Sequence, residues 1–103
     1  MPNAEFVYVK EFTNYGEIVL AVCDEEVLGV TLEEGGVKLY VDPAFYLGRR
    51  VSLDEAMDLV ERSTVANIVG RRAVEEAVRR GLICRDAVKY VQGVPHAQVI
   101  KVE

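Results

Sequence analysis

Apolar and polar positions change their spacing along this chain, and each change marks an element. Residues 6–12 (FVYVKEF) and 17–23 (EIVLAVC) are rich in β-branched and aromatic side chains, and TNYG between them supplies turn residues. Together they predict a β-hairpin. A period of two puts Phe6, Tyr8, Lys10 and Phe12 on one face of the first strand and Val7, Val9 and Glu11 on the other. Both faces carry apolar side chains, so both are expected to be partly covered. DEEVLG (24–29) is too short for a helix of its own and predicts a helical turn or a bend. Residues 30–42 predict a second hairpin turning at Glu34-Gly35-Gly36. Asp42-Pro43 ends it, because proline donates no ladder hydrogen bond and holds the preceding residue extended.

From residue 49 the period lengthens. RRVSLDEAMDLVERS (49–63) gathers Leu53, Ala56, Met57, Leu59 and Val60 on one side at 100° per residue and leaves the charges on the other. Ser52 and Glu55 have capping-box spacing, and Asp54 and Glu55 suit the positive end of a helix dipole. TVANIVG (64–70) is apolar all round apart from Thr64 and Asn67, and reads as a buried connection or short strand. Residues 71–81 predict a second helix with Ala73, Val74, Ala77 and Val78 inward and Gly81 as its left-handed C-terminal cap. Residues 82–93 predict a helical turn from Asp86 and then a strand. HAQVIKV (96–102) predicts a closing strand, entered by a turn at Gly93 and Pro95. The fold class expected is α+β in two layers, with two main helices packed on one mostly antiparallel sheet of four to five strands.

The 103 residues suit a single domain, 1–103, large enough for one core without a metal or disulfide staple. A net charge of −5 argues against a whole-surface attraction to nucleic acid or an anionic membrane, while leaving room for a local basic patch. The N-terminal stretch lacks the basic flank and apolar run of a signal peptide, and no run is long enough to span a bilayer. A cytoplasmic protein is expected. Cys23 and Cys84 form no CxxC or Cys/His spacing, so neither a metal nor a disulfide is predicted, and no cofactor motif is present. Few Asn and Gln, abundant Val, Arg and Glu, and no Trp lean towards a thermophilic source.

Four stretches, LAVCDEEVLG, DPAFY, STVANIVGRRAVEEAV and GVPHAQVIKV, occur in that order. They resemble the archaeal family catalogued as domain of unknown function 424, over nearly the whole chain, the last two being the most specific. Where that family's pattern carries a Lys after the Gly of the first stretch, this chain has Val30. The resemblance implies a small archaeal cytoplasmic domain without an assigned activity, in a translation-related setting that would favour an RNA- or ribosome-associated role.

Candidate sites are few, and each has a plain reading beside the functional one. In VGRRAVEEAVRR, spacing i,i+4 joins Arg71 to Glu75, Arg72 to Glu76, Glu75 to Arg79 and Glu76 to Arg80, each pair stabilising a helix by about 0.2–0.5 kcal/mol. A salt-bridged solvent face is the plain reading. The functional one is an anion site at Gly70, Arg71 and Arg72, where free N–H groups and two guanidinium forks would meet a phosphate, although no Walker motif is present. Asn67, an amide in an apolar run, is read as a structural hydrogen bonder, or else as a pocket residue orienting a ligand. His96, the only histidine, could do acid–base work but has no catalytic companion nearby in sequence, so it is read as a loop or strand-start residue before a binding one. Phe45 and Tyr46 beside Arg49 and Arg50 could stack bases, but are read first as core, with at least one ring buried. The acidic runs 24–26 and 33–34 are read as solvated surface.

Two functions follow. The leading one is a non-catalytic binding module whose contact surface draws on Arg49, Arg50, Arg71 and Arg72, possible further contacts being Phe45, Tyr46 and His96. Its acidity favours a protein or ribonucleoprotein partner over free nucleic acid. The alternative is a small enzyme with a pocket around Asn67 and His96, aided by Cys23 or Asp24. A carboxylate or Asn67 within hydrogen-bond reach of His96 would favour the enzyme.

Overall fold

The structure, a computed structural model, describes residues 5–101. β1 (Phe6–Asn14) and β2 (Glu17–Asp24) form the expected hairpin, closed by the two-residue turn Tyr15-Gly16. A 3₁₀ turn, Glu25–Val27, leads to a second hairpin of β3 (Thr31–Glu34) and β4 (Val37–Tyr40). The short helix α1 (Pro43–Tyr46) follows, capped by the Asp42 carboxylate, which accepts from the Ala44 N–H at 2.9 Å. Then come β5 (Arg49–Ser52), α2 (Leu53–Arg62), β6 (Val65–Val69), α3 (Arg71–Arg79), a 3₁₀ turn Arg85–Ala87, β7 (Lys89–Val91) and β8 (Val94–Ile100).

The main sheet has six strands in the order β5-β1-β2-β6-β8-β7, more than the four or five expected. All neighbours are antiparallel except β2 and β6. That parallel pair needs the long crossover that carries the second hairpin, α1, β5 and α2. The second hairpin does not join this sheet and stands as a separate two-stranded one.

Two boundaries differ from expectation, and a third segment takes one of the two forms expected of it. The helix expected over 49–63 begins only at Leu53, because Ser52 caps it through the Glu55 N–H at 3.1 Å, and residues 49–52 pair with β1 as an edge strand. Within 64–70, Val65–Val69 is a strand near the middle of the sheet, one of the two readings expected, which explains its apolar character on both faces. The turn before the last strand is Gln92-Gly93, so Pro95 and His96 lie inside β8 rather than at its entrance.

The alternation of the strands divides the interior in two. Val7, Val9, Leu20, Val22, Ala66, Ile68 and Ala97 share one buried cluster with Ala56, Met57 and Val60 of α2 and Ala73, Val74 and Ala77 of α3. Across the sheet, Ala21, Cys23 and Val69 are covered by Val41, Tyr46 and the 3₁₀ turn's Val27. Both faces are therefore apolar in the middle strands, and the two-layer reading is incomplete on this second face. Among the described residues no helix is long and apolar enough to cross a membrane.

Candidate functional site

Parallel pairing sets Cys23 opposite Val69, so the residue after each strand's apolar run, Asp24 and Gly70, meets at the carboxyl ends of β2 and β6. Such strand ends, followed by a helix N-terminus, commonly receive anionic ligands. Here the chain fills the place itself. The buried Asp24 carboxylate accepts from the Arg72 N–H at 2.8 Å and the Ala73 N–H at 2.9 Å. Gly70, at φ 113° and ψ 150°, opens α3 without a side chain, and its N–H donates to the Pro95 carbonyl at 2.9 Å. Burial raises the Asp24 pKa above the usual carboxylate range, against the pull of the two N–H donors and Arg72. The donors that an anion site at Gly70 and Arg72 requires are thus engaged by an internal carboxylate and carbonyl.

Glu25 and Glu26 stay at the surface, as read, each paired with a guanidinium, whereas the buried Asp24 corrects the reading of the run as solvated. Glu25 takes the Arg50 guanidinium at 2.5 Å, and Arg50 lies 4.0 Å from the centre of the Phe6 ring. Glu26 takes Arg72, whose Nε stands 3.6 Å from Glu5 and 3.9 Å from Asp24. That Nε is buried without a hydrogen-bond acceptor among the described residues. Arg50 and Arg72 are thereby brought to one end of the molecule, joined through residues 24–26.

Along α3 runs an open groove of about 540 Å³, lined by Arg71, Arg72, Arg79 and Arg85, by Glu5, Glu75 and Glu76, and by Leu53. Of the four expected i,i+4 pairs, Glu76–Arg80 forms, at 2.8 Å. Glu76 also takes Arg79, and these two guanidinium groups hold its carboxyl down at about 2. Glu75 turns instead to Arg85 beyond the helix, at 2.7 Å, and Arg80 also reaches Asp54 of α2. Arg71 is exposed and has no ion pair among the described residues.

The other candidates lie on the sheet face away from α2 and α3. Three rows cross it: Arg50–Tyr8–Cys23–Val69–His96–Lys89, Lys10–Ala21–Asn67–Gln98, and Phe12–Val19–Val65–Ile100. Asn67 accepts from the Gln98 amide at 3.2 Å, a cross-strand pair that satisfies it structurally. His96 is half-buried, and burial lowers its pKa, so it is neutral at pH 7. It has no hydrogen bond to Asn67 or to a carboxylate among the described residues. Val69 separates it from Cys23, whose thiol burial and Asp24 push up to about 12. Neither Asn67 nor His96 lines the groove.

Tyr46 is buried, so it is core and offers a partner nothing, which corrects its inclusion in a contact surface. Phe45 is half-buried between Phe12, stacked at 5.3 Å, and the edge of Tyr46 at 5.0 Å. Arg49 is exposed and pairs with Glu55 at 3.3 Å. Asp24, read from sequence as surface acid or as an aid to a pocket around Asn67 and His96, is instead the buried cap of α3, a role the sequence reading did not assign. Its signal was an acid closing an apolar strand, with a Gly-led helix that lacks a capping side chain of its own.

The fold and this end of the sheet define a small α+β domain with an internally capped helix and a charge-paired groove. The chain belongs to the family described as protein of unknown function DUF424, which it matches over residues 12–102. It is also similar to a solved structure described as an uncharacterized conserved protein from Methanopyrus kandleri. The two share 28% identity and a TM-score of 0.74, with 95% of this chain and 96% of that one covered. No curated protein matches the chain.

Proposed function

We propose that this domain is a non-catalytic binding module whose partner is a protein or a ribonucleoprotein, recognised along the α3 groove. The observation that carries the reading is the groove's lining, four arginines alternating with three glutamates around the apolar Leu53. Alternating charge of this kind matches a partner surface that also carries both signs, and it opposes the continuous negative field of bare RNA. The net charge of −5 acts in the same direction. Arg71, exposed and unpaired among the described residues, is the guanidinium best placed to make a new contact, with Arg49 and Arg50 at the same end of the molecule. A ribosome- or translation-associated partner, the setting the family resemblance implies, fits this reading.

Affinity capture with the full chain from archaeal extract tests it. The expected result is one or more partners retained after RNase treatment and lost with Arg71→Glu. Loss of every partner on RNase treatment would point to RNA, and retention unchanged by Arg71→Glu would remove the groove from the reading.

A further inference from the structure

The hairpin of β3 and β4 is folded onto the main sheet without being part of it. Of its strand residues only Leu32 is buried and Leu39 half-buried, and the others are exposed. Open space surrounds Gly35 and Gly36 at its tip. Two strands alone are marginal in water, so this hairpin depends on what holds it to the rest of the molecule.

Its stem is firm. Val41 is buried, its N–H donates to the Val30 carbonyl at 2.9 Å, and its carbonyl accepts from the Gly29 N–H at 2.7 Å. Beyond the stem, among the described residues, every hydrogen bond from residues 31–40 to the rest of the chain runs to Gln92. The Gln92 side-chain oxygen accepts from the Glu33 N–H at 2.9 Å, and its own N–H donates to the Glu34 carboxylate at 2.6 Å. Gln92 opens the turn between β7 and β8, so the turn of one hairpin holds the edge of the other. Both bonds are exposed, and a bond of this kind shifts an equilibrium by roughly two- to twelvefold.

We propose that residues 31–40 form a flap that swings clear of the sheet about Val30 and Val41, and that Gln92 is the clasp that keeps it shut. An element with few buried side chains and exposed hydrogen bonds opens at a lower free energy than the core strands beside it. β3 and β4 lie against β7. Leu39 packs in the cluster that holds Val69 and Val94, and Val94 stands across the strands from the buried Val91. An open flap therefore bares Val91 and Val94 together with its own Leu32 and Leu39, an apolar surface that the closed molecule hides. Tyr46 and Val41 stay in place over Cys23. The flap lies on the sheet face away from α2 and α3, so its opening is independent of the α3 groove.

Hydrogen exchange on the full chain, followed amide by amide in rising urea below the unfolding transition, tests the flap. Leu32 and Leu39 are the reporters, a cross-strand pair two residues along from the bond between Val41 and Val30. Val22 and Ile68, paired in the main sheet, report the rest of the fold. The expected result is that Leu32 and Leu39 exchange faster than Val22 and Ile68 and with a flat dependence on urea, since opening the flap exposes little surface. Gln92→Asn shortens the side chain by one methylene yet suits the left-handed turn position, at φ 50°. With Glu34→Ala added, both bonds are removed. Exchange at Leu32 and Leu39 should then rise together by at least about fivefold and stay flat in urea. A urea dependence at Leu32 and Leu39 as steep as at Val22 would mean that the hairpin opens only with the whole fold, and would overturn the proposal. So would unchanged rates in the double variant, or a rise at one of the pair alone. Because Arg71→Glu reads the groove and Gln92→Asn reads the flap, either proposal can fail without the other.

Discussion

Asp24 and Gly70 pack so closely that a Cβ added to residue 70 would stand 2.6 Å from the Asp24 Cβ. The approach exists because the parallel pairing of β2 and β6 brings both residues to the same sheet end, where the carboxylate must reach the first N–H groups of α3. Gly70→Ala is therefore expected to destabilise the fold. The backbone region at φ 113° and ψ 150° costs a side-chain-bearing residue about 1–3 kcal/mol by itself, and the collision adds to that. Chemical denaturation should show a total loss of about 2–4 kcal/mol. A loss below about 0.5 kcal/mol would mean that the two strand ends are not this close.

Asp24→Asn tests the cap rather than the space. The carboxylate offers one oxygen to each of two N–H groups, whereas an amide offers one oxygen and turns an NH₂ toward the other donor. One helix N–H is left without an acceptor in a buried place, and the favourable charge at the positive helix end is removed. The expected cost is about 1–2 kcal/mol. Hydrogen exchange should lose protection at the Arg72 or Ala73 amide while the amides of β1 keep theirs.

How far these features could be read beforehand follows from the kind of information each needs. Most elements were legible because they rest on local periodicity: the two hairpins, the helix closed by Gly81 and the body of the helix capped by Ser52 follow the spacing, while the edge strand 49–52, read as the start of that helix, does not. The sheet order was not, because nothing local tells that β6 would lie parallel to β2. That single pairing decides the site. It turns Asp24 from a member of a surface acidic run into a buried cap. The same long-range geometry sends Glu75 to Arg85 and Arg72 to Glu26, where i,i+4 spacing alone pairs them within the helix. Asn67 and His96 were recognisable as unusual residues, but the separate rows that hold them appear only once the strands are in register.

The two cysteines should differ sharply in reactivity. Cys23 has no exposed surface, and burial beside Asp24 pushes its thiol up to about 12, so almost no thiolate exists near neutral pH. Cys84 is exposed. An aromatic disulfide reagent at pH 8 should release one equivalent quickly from the native protein and a second only on unfolding. Cys84→Ser should abolish the fast equivalent. A fast phase of two equivalents would contradict the packing of Tyr46 and Val41 over Cys23.

Glu76 makes the stability of α3 sensitive to acid. Arg79 and Arg80 hold its carboxyl at about 2, below the 4.5 of an unperturbed glutamate. With the folded value depressed, its contribution is fully present above about 4.5 and is lost as the pH falls through about 2. Melting temperature should fall across that window in the wild-type protein. Glu76→Gln should be less stable at pH 7 and should show a shallower decline below 4.5, since it has no proton to take up there. An unchanged acid limb would show that the guanidinium groups do not hold this carboxylate in solution.

His96 acts in a different pH window and through a different cause. It sits in β8 between Val69 and Lys89, half-buried with no acid bonded to it among the described residues, and burial lowers its pKa below 6.5. A lowered folded value means that the unfolded chain binds the proton more readily. The stability contributed by neutral His96 is then complete above about 6.5 and is lost as the pH falls through the folded value. Relative to His96→Gln, the wild-type melting temperature should begin to decline just below about pH 6.5, a comparison in which the raised and oppositely acting Asp24 carboxyl cancels. His96→Gln, which takes up no proton, should remove this upper part of the decline and leave the part below 4.5 in place. A base in a working catalytic pair would behave oppositely, since a neighbouring carboxylate raises the imidazole's value and makes acid stabilising down to the carboxylate's own titration. The sign of the wild-type slope relative to His96→Gln just below about pH 6.5 therefore separates a structural or contact histidine from a catalytic one without any knowledge of the ligand.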